Sequence, residues 1–170
     1  MKDDYDVAPL KKKKKLNSRA KGNRFENKIA KILNERFNTE EFCRTPGSGA
    51  FATTHKLPEY LKVYGDLITP ENFKYIIECK KGYNDEQVSD LFNPKSTICK
   101  MIAQAHRDSQ KSSRKFLLII GQNRQDPVAI TNQLDLPVSS PSFKGKIEEI
   151  EILLSKLDNL LDLSDRYFLT

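Results

Sequence analysis

Phe73-Lys74-Tyr75-Ile76-Ile77-Glu78-Cys79-Lys80 is the stretch on which the fold turns. Aromatic and β-branched residues dominate it, and Gly82 follows shortly after, which is the composition of a strand. Successive strand side chains point to opposite faces. Phe73, Tyr75, Ile77 and Cys79 therefore form one wholly apolar face, expected on a core. Lys74, Ile76, Glu78 and Lys80 form the other, which ends in a carboxylate beside an ammonium. Alone, a Glu-x-Lys pair at a strand terminus is a structural ion pair. Whether it is more depends on what the rest of the chain brings to it.

Just upstream, Val63-Tyr64-Gly65-Asp66-Leu67-Ile68 reads as a second strand, and Pro70-Glu71-Asn72 as the turn between the two. With a three-residue loop, and Thr69 opposite Phe73, Asp66 faces Ile76 and shares the side of Glu78 and Lys80. Asp66 and Glu78 are then diagonal neighbours roughly 7 Å apart at the backbone. That is close enough to share a metal held about 2.1 Å from each oxygen. A two-residue loop at Glu71-Asn72 would turn Asp66 away and remove the site.

Nearer the N-terminus, Phe25, Ile29, Ile32, Leu33 and Phe37 recur at helical spacing, predicting a helix over residues 19–37. Glu26 lies on the flank of that stripe and is expected to be partly buried. Two other uses of Glu26 stand open: a capping box with Asn23 as N-cap, or a surface pair with a lysine. Glu41-Phe42-Cys43-Arg44 reads as a short strand. Thr45-Pro46-Gly47-Ser48-Gly49 reads as a turn whose glycines would let a backbone approach a phosphate. Residues 50–64 are a polar insertion in which His55 reads as a surface residue.

Downstream, Asn93-Pro94 reads as an N-cap and first helical residue. The predicted helix runs to about residue 111, with Ile98, Met101, Ile102 and Ala105 as its core stripe and Gln104 and His106 on its margins. Phe116-Leu117-Leu118-Ile119-Ile120 suits a strand buried on both faces, and Val128-Ala129-Ile130 one more short strand. Residues 136–146, rich in Pro and Ser, read as a linker. Residues 146–163 space Ile147, Ile150, Leu154, Leu157 and Leu161 in a 3-4-3-4 pattern. That predicts an amphipathic helix, either packed on the sheet or forming a dimer contact.

The chain has 170 residues, 38% hydrophobic and 31% charged, with a net charge of +6. This is one domain with a highly charged surface and a bias toward a polyanionic partner. It divides into a basic flexible arm (1–18), a core (19–135) and a linker with a C-terminal helix (136–170). The run Lys11-Lys12-Lys13-Lys14-Lys15 buries nothing and repels itself, so it cannot fold alone. A phosphate-binding arm, a nuclear-localisation signal and a solubilising tail all fit it. Arg19, Lys21, Arg24, Lys28 and Lys31 continue its charge and favour phosphate. No secretory signal or membrane-spanning run is present, so a cytoplasmic location without a membrane partner is expected. Three scattered cysteines suggest reduced thiols, and the lack of Cys-x-x-Cys argues against structural zinc.

Helix with Glu26, strand with Asp66, strand with Glu78-x-Lys80, helix, strand: this order resembles the PD-(D/E)xK nuclease superfamily. Gly65-Asp66 matches its "PD" element, with Gly where the motif has Pro, and Ile77-Glu78-Cys79-Lys80 matches "(D/E)xK". Lys21-Gly22-Asn23-Arg24-Phe25-Glu26 and Arg44-Thr45-Pro46-Gly47-Ser48-Gly49 look like the first helix and the serine-glycine loop of archaeal- and phage-type Holliday-junction resolvases. The resemblance spans about residues 18–121 and leaves out the lysine arm, the 50–64 insertion and the C-terminal segment.

The resemblance implies a mixed α/β, restriction-endonuclease-like α-β-β-β-α-β core with catalytic Glu26, Asp66, Glu78 and Lys80. It implies Mg²⁺, with Mn²⁺ able to substitute, held by Asp66, Glu78, the backbone carbonyl of Cys79, and Glu26 directly or through water. Lys80 would orient or help deprotonate the attacking water. As a base it would need a pKa lowered by burial. DNA would be held by Lys11, Lys12, Lys13, Lys14, Lys15, Arg19, Lys21, Arg24, Arg44 and Ser48, with Gln104 facing the site from the second helix. The expected activity is metal-dependent, structure-selective DNA cleavage by a dimeric junction resolvase, in the host cytoplasm if phage-encoded. A restriction- or repair-type endonuclease acting on duplex, and a non-catalytic DNA-binding protein of the same fold, are the alternatives.

Overall fold

A computed structural model of the chain describes residues 18–46 and 64–170. The lysine run 11–15, Gly47-Ser48-Gly49, His55 and Val63 lie outside the described residues. The first helix, α1 (Ser18–Phe37), leads into β1 (Cys43–Arg44), β2 (Leu67–Ile68) and β3 (Tyr75–Lys81). A 3₁₀ turn (Val88–Phe92) and α2 (Thr97–Ser112) connect to β4 (Lys115–Gly121), and β5 (Val128–Thr131), β6 (Ser142–Ile147), β7 (Ile150–Lys156) and the short α3 (Leu157–Leu161) follow. All seven strands make one mixed sheet in the order β1-β2-β3-β4-β5-β7-β6. Among the described strands only β3 and β4 run parallel. A parallel pair needs a long crossover, and α2 supplies it.

The face assignments of β3 hold. Tyr75, Ile77 and Cys79 join Phe25, Ile29, Ala30 and Leu33 of α1 in one core. Ile76 joins Ile98, Met101, Ile102 and Ala105 of α2 in the other. Between the two, Phe116, Leu117, Leu118 and Ile119 of β4 are fully buried. Each such side chain stabilises the fold by about 1.5–3 kcal/mol, which makes β4 the apolar spine of the sheet. Among the described residues no helix is long and apolar enough to cross a membrane.

Three sequence expectations are corrected. Residues 146–163 form not a helix but β6, β7 and the short α3, joined by a two-residue turn between Ile147 and Ile150. Ile152 and Leu153 are consecutive yet buried in opposite cores, as only a strand can place them. The turn contains no Gly or Pro: Glu148 takes a left-handed backbone, φ 53°. The usual hairpin punctuation is missing, and the helical reading prevailed over it. Residues 136–146 are accordingly not a linker, because β6 begins at Ser142 and extends the same sheet. Finally, Ser96 caps α2 by accepting a hydrogen bond from the Cys99 N–H at 3.3 Å, whereas Asn93 ends the 3₁₀ turn before it.

The β2–β3 register differs from the three-residue loop by two positions. Leu67 pairs with Ile77, so the turn is longer and Asp66 comes level with Glu78 rather than Ile76. A slip of two keeps side-chain parity, whereas a slip of one would have reversed it. Gly65 makes the approach possible: its φ is +86°, and a Cβ there would stand 2.5 Å from the Ile77 carbonyl oxygen. Proline, the motif residue at this position, is locked near φ −65° and cannot adopt this backbone. Gly65→Ala is expected to destabilise the protein by about 2–3 kcal/mol, a fall in melting temperature of about 5–10 °C in a thermal melt. An unchanged melting temperature would refute this account of the register.

Candidate active site

Backbone contacts from both neighbouring strands fix Gly65 and Asp66. The Asp66 N–H donates to the Ile77 carbonyl at 2.7 Å, and the Thr45 N–H donates to the Asp66 carbonyl at 2.9 Å. The Thr45 hydroxyl adds a bond to the Gly65 carbonyl at 3.3 Å. So held, the Asp66 carboxylate accepts a hydrogen bond from the Cys79 N–H at 2.8 Å through Oδ2. In a strand the N–H and C=O of one residue lie along the same edge, so the Cys79 carbonyl is directed to the same side as Asp66.

Lys80 ties the acids together. Its Nζ lies 2.9 Å from Glu78 Oε2 and 3.8 Å from Asp66 Oδ2. Glu26 reaches the cluster from α1. It is buried, and among the described residues its Oε2 has no hydrogen-bond partner. Among the described residues its ion-pair partner is Arg44 at the end of β1, whose Nη1 is 3.7 Å away, too long to be a hydrogen bond. α1 begins at or before Ser18, so Asn23 lies inside the helix and the capping-box reading of Glu26 is excluded.

Three carboxylates and two cations thus share a partly desolvated site, and their ionisation reflects it. Burial first, and the Asp66 charge second, push the Glu78 carboxyl up to about 7 against the relief given by Lys80. Burial and Asp66 likewise raise Glu26, opposed by Arg44. For Lys80, burial acts to lower the pKa, but Glu78 and Asp66 outweigh it and the net direction is upward. The lowered pKa that a lysine base requires is not found; Lys80 is held as an ammonium.

The remaining expected residues are more dispersed. Gln104 is exposed on α2, and the α2 side chain whose charge reaches Glu78 is Asp108. Arg19 and Arg24 are exposed on α1, while Lys21 is half-buried over the end of β3. Ser48 and the five lysines of the arm lie outside the described residues. Thr45 and Asp108 were not anticipated. Thr45 alone had a sequence signal, since it directly follows Arg44 at the start of the turn.

The donor set suits a hard divalent cation: all oxygen, with an excess of carboxylate over cation and one buried carboxylate oxygen left unpartnered. Among the described residues no three His, Cys, Asp or Glu side chains form a ready-made metal cage.

The raised Glu78 carboxyl has a consequence for the metal-free protein. Because its folded-state pKa exceeds the ordinary value of 4.5, its stabilising contribution is complete below pH 4.5 and is lost as pH rises to about 7. Glu78→Gln keeps the neutral form at every pH. In EDTA its melting temperature should gain on the parent protein between pH 4.5 and 7 and hold that gain above. A difference independent of pH would show that Glu78 ionises normally.

Comparison with known proteins agrees with this geometry. Protein D14 of Escherichia phage T5 is 32% identical over 148 residues, which cover 84% of this chain and 85% of that protein. No solved structure matches. Residues 17–167 match the family described as "Phage putative PDDEXK endonuclease". With the Asp66, Glu78 and Lys80 cluster on the mixed sheet that this superfamily uses, the chain belongs to that family of phage PD-(D/E)xK endonucleases.

Proposed function

We propose that the protein is a Mg²⁺-dependent, structure-selective DNA endonuclease, a junction resolvase that acts as a homodimer in the cytoplasm of an infected host. The observation that carries the nuclease reading is the convergence of Asp66 and Glu78 on one ammonium, Lys80, with the buried Glu26 carboxylate, ion-paired to Arg44, beside them. A protein that only binds DNA gains nothing from crowding three acids, two of them buried, where a polyanion must approach. Junction preference is supported by the resemblance of residues 21–26 and 44–49 to resolvase motifs. A dimer with one site per subunit would cut two strands symmetrically.

In this reading Asp66, Glu78, the Cys79 carbonyl and Glu26 hold the cation. When bound, the cation neutralises phosphoryl oxygens and acidifies the attacking water. Lys80, charged through its ion pairs, positions that water and offsets the negative charge that grows on the phosphate. The Cys79 N–H fixes Asp66 Oδ2, which sets the carboxylate's direction. Arg44 balances Glu26 and offers its guanidinium to a neighbouring phosphate.

The test incubates the protein with a four-way junction, the matching duplex and single strands, with and without Mg²⁺ or Mn²⁺. Selective, metal-dependent cutting of the junction is expected. Equal cutting of duplex would replace the resolvase assignment with a restriction- or repair-type one, and tight binding without cutting would overturn the enzyme. Glu78→Ala should abolish cutting and leave binding intact or stronger. Lys80→Ala should slow cutting by about 10²–10³-fold, measured under single-turnover conditions.

A further inference from the structure

Beside the carboxylate cluster, on the α1 side of the sheet, lies a cavity of about 280 Å³. Lys21, Arg24 and Lys28 line it from α1, Lys81 from the end of β3, and Phe25 and Pro127 give it apolar walls. The three α1 cations are three and four residues apart and so share one helix face. The Lys21 ammonium lies only 3.3 Å from where a Cβ on Gly82 would stand, so it reaches the strand end. The Lys81 ammonium donates to the Gln122 carbonyl at 2.6 Å and sits 5.5 Å over the Phe25 ring. Among the described residues no carboxylate lines this hollow, and none of the four cations forms an ion pair. Four like charges around one concavity repel one another and weaken the fold unless an anion enters.

Position links this hollow to the carboxylate cluster. Lys80 and Lys81 are consecutive on β3 and therefore point to opposite faces. Lys80 goes to the acids, Lys81 to the hollow. A nucleic-acid strand crossing the end of β3 would meet both. Building on the endonuclease reading, we propose that this hollow is a phosphate site for the strand being cut, holding a backbone phosphate next to the scissile one. The cations would bind the phosphate, and Phe25 and Pro127 would lie against the attached sugar. Lys28 and Lys81 thereby join Lys21 and Arg24 as DNA contacts.

The experiment measures binding of a labelled duplex and four-way junction by fluorescence anisotropy across a salt series, in EDTA so that nothing is cut. Each phosphate contact contributes about 0.9 to the slope of log affinity against log salt. The variants Lys28→Gln/Lys81→Gln and Lys21→Gln/Lys28→Gln should each lower that slope by about 1. Lys144→Gln, an exposed lysine on the far edge strand β6, should leave it unmoved. The second double variant leaves Lys81 in place and guards against a folding defect there. Wild-type binding with slopes unchanged in both double variants overturns the phosphate site and leaves the nuclease reading standing. No wild-type binding to either DNA overturns both. A loss seen only with 5′-phosphorylated ends overturns the assignment to a backbone phosphate.

Discussion

The structure depends on how closely the end of β2 can approach β3. The Asp66 N–H bonds the Ile77 carbonyl, and the Asp66 carboxylate takes the Cys79 N–H. A single residue is thus bound to β3 through both its backbone and its side chain. Such an approach leaves no room for a Cβ at the preceding position, and Gly65 answers that constraint with its left-handed backbone. Thr45 secures the opposite flank from β1. Without this clamp Asp66 would be an exposed acid in a loop, and Glu78 and Lys80 an isolated pair.

The site draws on both faces of the sheet. Glu26 comes from the helix covering one face, Glu78 and Lys80 from the face covered by the other helix, and Asp66 stands between them at the end of β2. Asp66 lies just before Leu67, the first residue of β2, with its N–H and carbonyl still bonded to the Ile77 carbonyl and the Thr45 N–H. Concentrating acids in this place is unfavourable to folding, as the raised Glu78 and Glu26 carboxyls record. Two apolar cores offset that strain. The chain's C-terminal end also braces the start of β3: Phe168 packs into the aromatic cluster with Phe73 and Tyr75, and its carbonyl accepts from the Lys74 N–H. β3 is therefore anchored at one end and presents chemistry at the other.

The expected and observed folds part where local signals are weakest. Residues 146–163 satisfy helical spacing because apolar residues are dense enough to satisfy two periods at once. Ile152 and Leu153 facing opposite cores decide for a strand. The turn at Glu148 has no glycine to announce it. Asn93-Pro94 and Ser96 are all plausible caps within four residues, and the pairing of the Ser96 hydroxyl with the Cys99 N–H settles the matter. Gln104 and Asp108 lie one turn apart on the same helix, and helical periodicity cannot say which of them is within electrostatic reach of Glu78.

The order of elements through β5, the faces of β3 and the identity of the four side chains at the centre of the site are legible in the residues alone. Those follow from two- and 3.6-residue periodicity and from residue chemistry, which are local properties. Tertiary structure decided what depends on contact between distant segments. It placed Leu67 opposite Ile77, brought Arg44 to Glu26, kept Lys80 charged between two carboxylates, and joined Lys81 to Lys21 and Lys28. Periodicity states which way a side chain points. Distance and burial, which set charge and pairing, exist only once the chain has folded.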